Sequence, residues 1–165
     1  MTDPLNSLIE SLRQELQQYG EMLARLDQQQ DSILRRAADD VMSSAVLVQD
    51  QGVAIQHARQ AREQTQRQLA CHLRQPEMTT LMDLSSQVPS DYRPLVNALV
   101  EENNQLLTRV QQRARQNHLL LRRSLDMMQD LLQSLYPTGQ RLVYNDSGHK
   151  CGASLPAHAI YDAAG

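Results

Sequence analysis

Apolar residues recur near the start of the chain at Leu5, Leu8, Leu12, Leu16, Tyr19, Leu23 and Leu26, spaced mostly by three and four. That spacing puts them on one side of a helix and describes a heptad seam. Weaker members continue it through Ile33, Ala37, Val41, Val48, Ile55, Ala58, Thr65, Leu69 and Leu73, so helix is predicted nearly throughout residues 4–74. Thr2-Asp3-Pro4 offers an opening cap with a proline that the first turn tolerates. Unbroken, such a helix would be a rod of about 105 Å at ~1.5 Å per residue. A fold-back is favoured, because Arg35-Arg36 stand where a helix C-terminus takes cations and Asp39-Asp40 where the next N-terminus takes carboxylates. The same four residues would make i,i+4 pairs along a continuous helix. The break is placed between about 36 and 45, with Ser43-Ser44 and Gly52 as weaker alternatives.

Between Gln75 and Pro94 the texture changes to Pro76, Pro89 and Pro94 with Ser and Thr around Leu81, Met82 and Leu84. This reads as a connector with one short helical turn at about 79–86, after which Ser90 or Asp91 caps the next helix. From about 92 to 135 the stripe is broad, and it widens toward Leu120-Leu121, Met127-Met128 and Leu131-Leu132. Asn103 and Asn117 fall on the same heptad position as Val110 and Ser124, where a buried amide costs stability and fixes register. Beyond Leu135 the pattern stops at Pro137, Gly139, Gly148, Gly152 and Pro156. The expected architecture is all-α: an elongated antiparallel bundle of about three long helices with a short connector helix. A bundle domain over 1–136 is followed by a flexible C-terminal tail over 137–165.

Composition narrows the function classes. The 165 residues contain no Phe and no Trp, five Tyr and 22 Gln. A core without large rings is built from Leu, Met, Val, Ile and Ala, which suits helical stripes better than sheets or aromatic-walled pockets. A net charge of −3 and the missing stacking platforms argue against nucleic-acid binding. Two cysteines about 80 residues apart, with no apolar run of signal-peptide or bilayer-spanning type, point to a reduced, cytoplasmic chain with no membrane insertion.

Catalytic constellations are thin. No phosphate-cradling glycine loop, nucleophile elbow or His-Glu-x-x-His helix occurs. His149, Cys151 and His158, with Cys71-His72 as a remote complement, have zinc-like chemistry but match no closed site, so neither metal nor cofactor is expected. The reading is of a binding protein rather than an enzyme. A wide Leu/Met surface is what an amphipathic helix uses as a groove, and Met adapts to imprecise partners. The other reading of the same stripe is that it is simply bundle core. Tyr136, Tyr144 and Tyr161, in a stretch with no packing pattern, are candidate recognition points.

The order Asn103-Asn104-Gln105-Leu106-Leu107, Asn117-His118-Leu119-Leu120-Leu121, Ser124-Leu125 through Leu131-Leu132, Pro137 and Tyr144-Asn145-Asp146-Ser147-Gly148 resembles the FlgN family of flagellar export chaperones. The resemblance spans residues 5–148 and is diagnostic from 99 to 148. It implies a chaperone that holds C-terminal helical segments of hook-filament junction proteins and delivers them to the export gate of the flagellar type III secretion apparatus. By position it puts Asn117, Leu120, Leu121, Leu125, Met128, Leu132 and Leu135 on the cargo-binding helix and Tyr144 on the gate-engaging tyrosine. Asn145 stands where the enteric members have Gly, and Tyr161 to Gly165 repeats the Tyr-x-x-x-Gly pattern, so Tyr161 is a second gate candidate. Such a carrier would be a monomer or weak homodimer. The competing function is a structural coiled-coil protein that self-associates without a client.

Overall fold

The computed structural model describes residues 2–135 and the short pieces 143–144 and 150–151. Four helices run in the order α1 (Thr2–Leu34), α2 (Ala38–His72), α3 (Leu81–Gln87) and α4 (Arg93–Leu135). The chain divides into two compact units, Met1–Leu121 and Arg122–Gly165.

In the first unit α1 and α2 form an antiparallel hairpin. Ser11 and Thr65 share a hydrogen bond at 2.8 Å, Gln51 donates to the Gln18 side chain at 2.9 Å, and Arg25 donates to the Leu47 carbonyl at 3.2 Å. The turn occupies Arg35–Ala37, at the early edge of the expected window, with Arg36 in the left-handed region at φ 57°. Arg36 N–H reaches the Ile33 carbonyl and Ala37 N–H the Ser32 carbonyl, both at 3.1 Å, which satisfies two otherwise orphaned acceptors as a Schellman motif does. Arg74, also at φ 57°, closes α2 in the same way, with Arg74 N–H on Cys71 and Gln75 N–H on Ala70. Asp39 and Asp40 lie in the first turn of α2, where the helix dipole favours them.

Thr80 caps α3 by accepting from the Asp83 N–H at 3.2 Å. This seven-residue helix is the expected connector turn, starting two residues later and ending one later, at Gln87. α4 then returns alongside α1. Asn103 Nδ2 donates to the Leu12 carbonyl and Asn117 Nδ2 to the Leu26 carbonyl, in both cases across 91 residues of chain. A constant offset means that α1 and α4 run parallel, with α2 antiparallel to both.

Two apolar clusters hold this unit. Leu5, Leu8, Ile9 and Leu12 pack with Leu69, Val88, Val96 and Leu99 at one end, and Tyr19, Met22 and Leu26 pack with Val110 further along. A polar belt on α1 joins them. The buried Glu15 carboxylate accepts from Tyr19 Oη and from Arg62 Nε, each at 2.8 Å. The all-α class holds for the helices. The second unit adds a pairing that the tail's composition did not suggest, Val143–Tyr144 antiparallel to Lys150–Cys151. Val143 and Tyr144 favour extended backbone, and Asn145-Asp146-Ser147-Gly148 between the strands has turn-forming composition.

Candidate functional site

Along α4 the burial of side chains changes abruptly. Val96, Leu99, Asn103, Val110 and Asn117 are buried. Four of these, Val96, Asn103, Val110 and Asn117, repeat every seven residues, so one face of the helix is sealed against the body up to Asn117. Leu120 and Leu121 are half-buried. Leu125, Met128, Leu132 and Leu135 are then 52 to 63% exposed, as are Met127 and Leu131 beside them. Spacings of three, four and three place Leu125, Met128, Leu132 and Leu135 on one stripe, with Met127 and Leu131 along its edge. Large apolar side chains scattered singly on a surface need no explanation, but six on one face over eleven residues make a contiguous patch, and such patches mark interaction sites.

The seven predicted cargo positions therefore separate by environment. Asn117 is only 2% exposed, and its amide is committed to α1, donating to the Leu26 carbonyl at 2.7 Å and to Gln29 Oε1 at 3.1 Å. Leu120 and Leu121 sit at the margin of the body, and Leu125, Met128, Leu132 and Leu135 form the open stripe. Leu119, Met127 and Leu131 are also exposed and were not among the predicted positions. For Met127 and Leu131 the signal was the adjacency Met127-Met128 and Leu131-Leu132, which widens a stripe beyond one row. The backbone of Tyr144 lies in the first strand, and Tyr161 lies outside the described residues, as do His149 and His158. Among the described residues no group of three or more His, Cys, Asp or Glu side chains could hold a metal ion, and Cys71 is a free, exposed thiol.

Among the described residues the one strongly shifted group belongs to the body. The Tyr19 hydroxyl is pushed up to about 12 by burial, reinforced by its hydrogen bond to Glu15 and by the nearby Glu15 charge. It is a structural phenol, donating to a buried carboxylate. No helix among the described residues is long and apolar enough to cross a membrane.

Among the described residues α4 ends in an exposed Leu/Met stripe, the kind of surface on which an amphipathic helix docks. The family model for FlgN protein matches residues 1–150, and the chain belongs to that family of flagellar export chaperones. No curated protein and no solved structure matches it.

Proposed function

We propose that the chain is a cytoplasmic carrier that holds the C-terminal helical segments of hook-filament junction proteins on the Leu125–Leu135 stripe and hands them to the flagellar export gate. The observation that carries this reading is the exposure of Leu125, Met128, Leu132 and Leu135 on a helix whose earlier turns are sealed. A protein that used this stripe for its own core would not leave it open. An amphipathic client helix laid along five or six anchors gains ~5–10 kcal/mol gross, less several kcal/mol for ordering the segment, and a net of at most ~8 kcal/mol corresponds to micromolar binding or weaker. Leu120 and Leu121 form the inner edge of this surface, and Asn117 anchors the helix that bears it. Tyr144, with Tyr161 as a second candidate, is proposed to engage the gate component. The reading assigns the chain no catalytic step.

The test is binding of purified hook-filament junction proteins, measured by calorimetry. The wild-type chain forms a one-to-one complex, and Leu125→Asp with Leu132→Asp abolishes it while the helical circular dichroism signal persists. Undiminished binding by that folded variant overturns the stripe assignment. Tyr144→Ala and Tyr161→Ala, alone and together, keep client binding and lose engagement of the export gate. Equal loss of both would show that one surface serves both tasks.

A further inference from the structure

The charges beside the open stripe of α4 are unevenly spread along its length. At about 100° of turn per residue, Leu125, Met127, Met128, Leu131, Leu132 and Leu135 cover an arc of roughly 160°. Arg122 lies about 60° outside the Leu125 edge of that arc and Arg123 about 40° outside the Met127 edge, so the two guanidiniums bracket the stripe where it begins. Both are exposed, and among the described residues neither makes an ion pair. Further along, the edges carry Gln129, Gln133, Asp130 and Ser134, and no Lys or Arg occurs from residue 124 to 135. Without a basic residue in the last turn of α4, the carbonyls of the helix itself add a negative pole near Leu135.

An amphipathic helix laid on the stripe meets this gradient with a dipole of its own. Its amino end presents free N–H groups and partial positive charge, and its carboxyl end presents free carbonyls and partial negative charge. Parallel to α4, it would set its N–H groups against Arg122 and Arg123, and its carbonyls against Asp130 and the end of α4. Antiparallel, each end meets its complement, and the guanidinium donors reach the orphaned carbonyls of the incoming last turn.

We propose that the client helix lies antiparallel to α4, with its last turn held between Arg122 and Arg123 and its first turn beside Asp130 and Leu135. This rests on the reading of the Leu125–Leu135 stripe as the client surface. It adds a direction that the apolar residues alone do not impose, because hydrophobic contact is non-directional. The leucines and methionines supply affinity, and the two arginines set polarity.

Paramagnetic broadening in the complex of the full chain with a purified hook-filament junction protein tests it. The junction protein carries a thioether-linked nitroxide on either the first or the last turn of its C-terminal helical segment, and the leucine methyl signals of the chaperone are read. Leu125 and Leu135 are about 15 Å apart at ~1.5 Å per residue, far enough to tell the two ends of the stripe apart. The label on the last turn broadens Leu125 more than Leu135, and the label on the first turn does the reverse. The opposite order, or equal broadening of both leucines by each label, overturns the antiparallel placement while leaving the stripe as the client surface. A complex in which neither label broadens either leucine overturns that surface, and the placement with it. Arg122→Glu with Arg123→Glu weakens client binding about tenfold at ~0.05 M salt and less than about threefold at ~0.5 M, where the charges are screened. Arg122→Lys with Arg123→Lys stays within about threefold of wild type, because the cations remain. Both positions are exposed, so each variant keeps its helical circular dichroism. Unchanged affinity in the folded Glu variant at low salt overturns the role of the arginine pair.

Discussion

Asn117 on α4 donates its side-chain amide to the main-chain carbonyl of Leu26 on α1 at 2.7 Å, two heptads after Asn103 makes the equivalent bond to Leu12 at 3.1 Å. The repeat fixes the parallel register of the two helices at two points. It does so at a cost, since Oδ1 of both asparagines is buried without a hydrogen-bond partner. Replacing Asn117 by Val removes an unsatisfied oxygen while Leu26 keeps its place in the helix ladder, but it also takes a donor from the buried Gln29 Oε1, so the net change should stay within about 1 kcal/mol of zero. Asn117→Asp puts a carboxylate in the same site and should destabilise by ~2–4 kcal/mol at neutral pH. Urea denaturation of the two variants checks both, and a larger stability loss in Asn117→Val would show that the bonds outweigh the orphaned oxygen.

The Glu15–Arg62 pair bridges α1 and α2 between the two apolar clusters. Arg62 Nε lies 2.8 Å from Glu15 Oε2, and the side chains are 14% and 6% exposed. Removing one partner leaves a charge stranded, so Glu15→Leu alone should cost ~2–4 kcal/mol, while Glu15→Leu with Arg62→Leu should recover only the part due to the stranded charge, because the buried Tyr19 hydroxyl still loses its acceptor. A double-mutant cycle by chemical denaturation reads the coupling directly, and additive losses would mean that the pair contributes nothing as a pair.

Tyr19 makes stability fall at high pH. Its folded pKa is raised from 10.0 to about 12, so the folded state holds the phenolic proton more tightly than the unfolded chain. The contribution is complete below pH ~10 and is lost as pH rises through ~12, a loss of order 2–3 kcal/mol for this group. Tyr19→Phe should show a correspondingly flatter stability profile between those pH values, by urea midpoint measured at intervals, and an equally steep profile in the variant would assign the alkaline loss to other groups.

The sequence pattern made some of this legible and hid the rest for a physical reason. Leu5, Leu8, Leu12, Tyr19 and Leu26 were read as a seam and are buried, because apolar periodicity reports burial against any partner whatever its identity. The places of α3 and α4 lay close to those the prolines set, because a proline acts locally; α4 starts at Arg93, directly after Tyr92 rather than after Ser90 or Asp91. α2 was read as a diluted seam through Val48, Ile55 and Leu69, and those three do face α1 and the core. Its buried Ser44 and Gln51 and inward Arg62 escaped, because a polar side chain becomes a core residue only when a partner on another helix satisfies it. The exposure of Met42, Val46 and Val53 escaped with them. On α4 the sequence left two options for Leu125 through Leu135, core or open groove, and only three-dimensional accessibility separates them.

That accessibility gives α4 two kinds of amide. Between Val96 and Asn117 the helix buries a side chain at least every seven residues, so exchange of its backbone N–H groups requires the body to open. From Leu125 to Leu135 all side chains are exposed. Among the described residues only intrahelical bonds protect these amides, and an isolated segment of this length is marginal as a helix in water. Hydrogen exchange followed by mass spectrometry should therefore show slow exchange over 96–117 and fast exchange over 125–135 in the free chain. If the stripe is where a client helix docks, adding a bound client must slow exchange over 125–135 by at least about tenfold, because opening then also breaks the apolar contact. Slowing confined to 96–117, with 125–135 unchanged, would mean that the client binds the body and that the exposed stripe serves another contact.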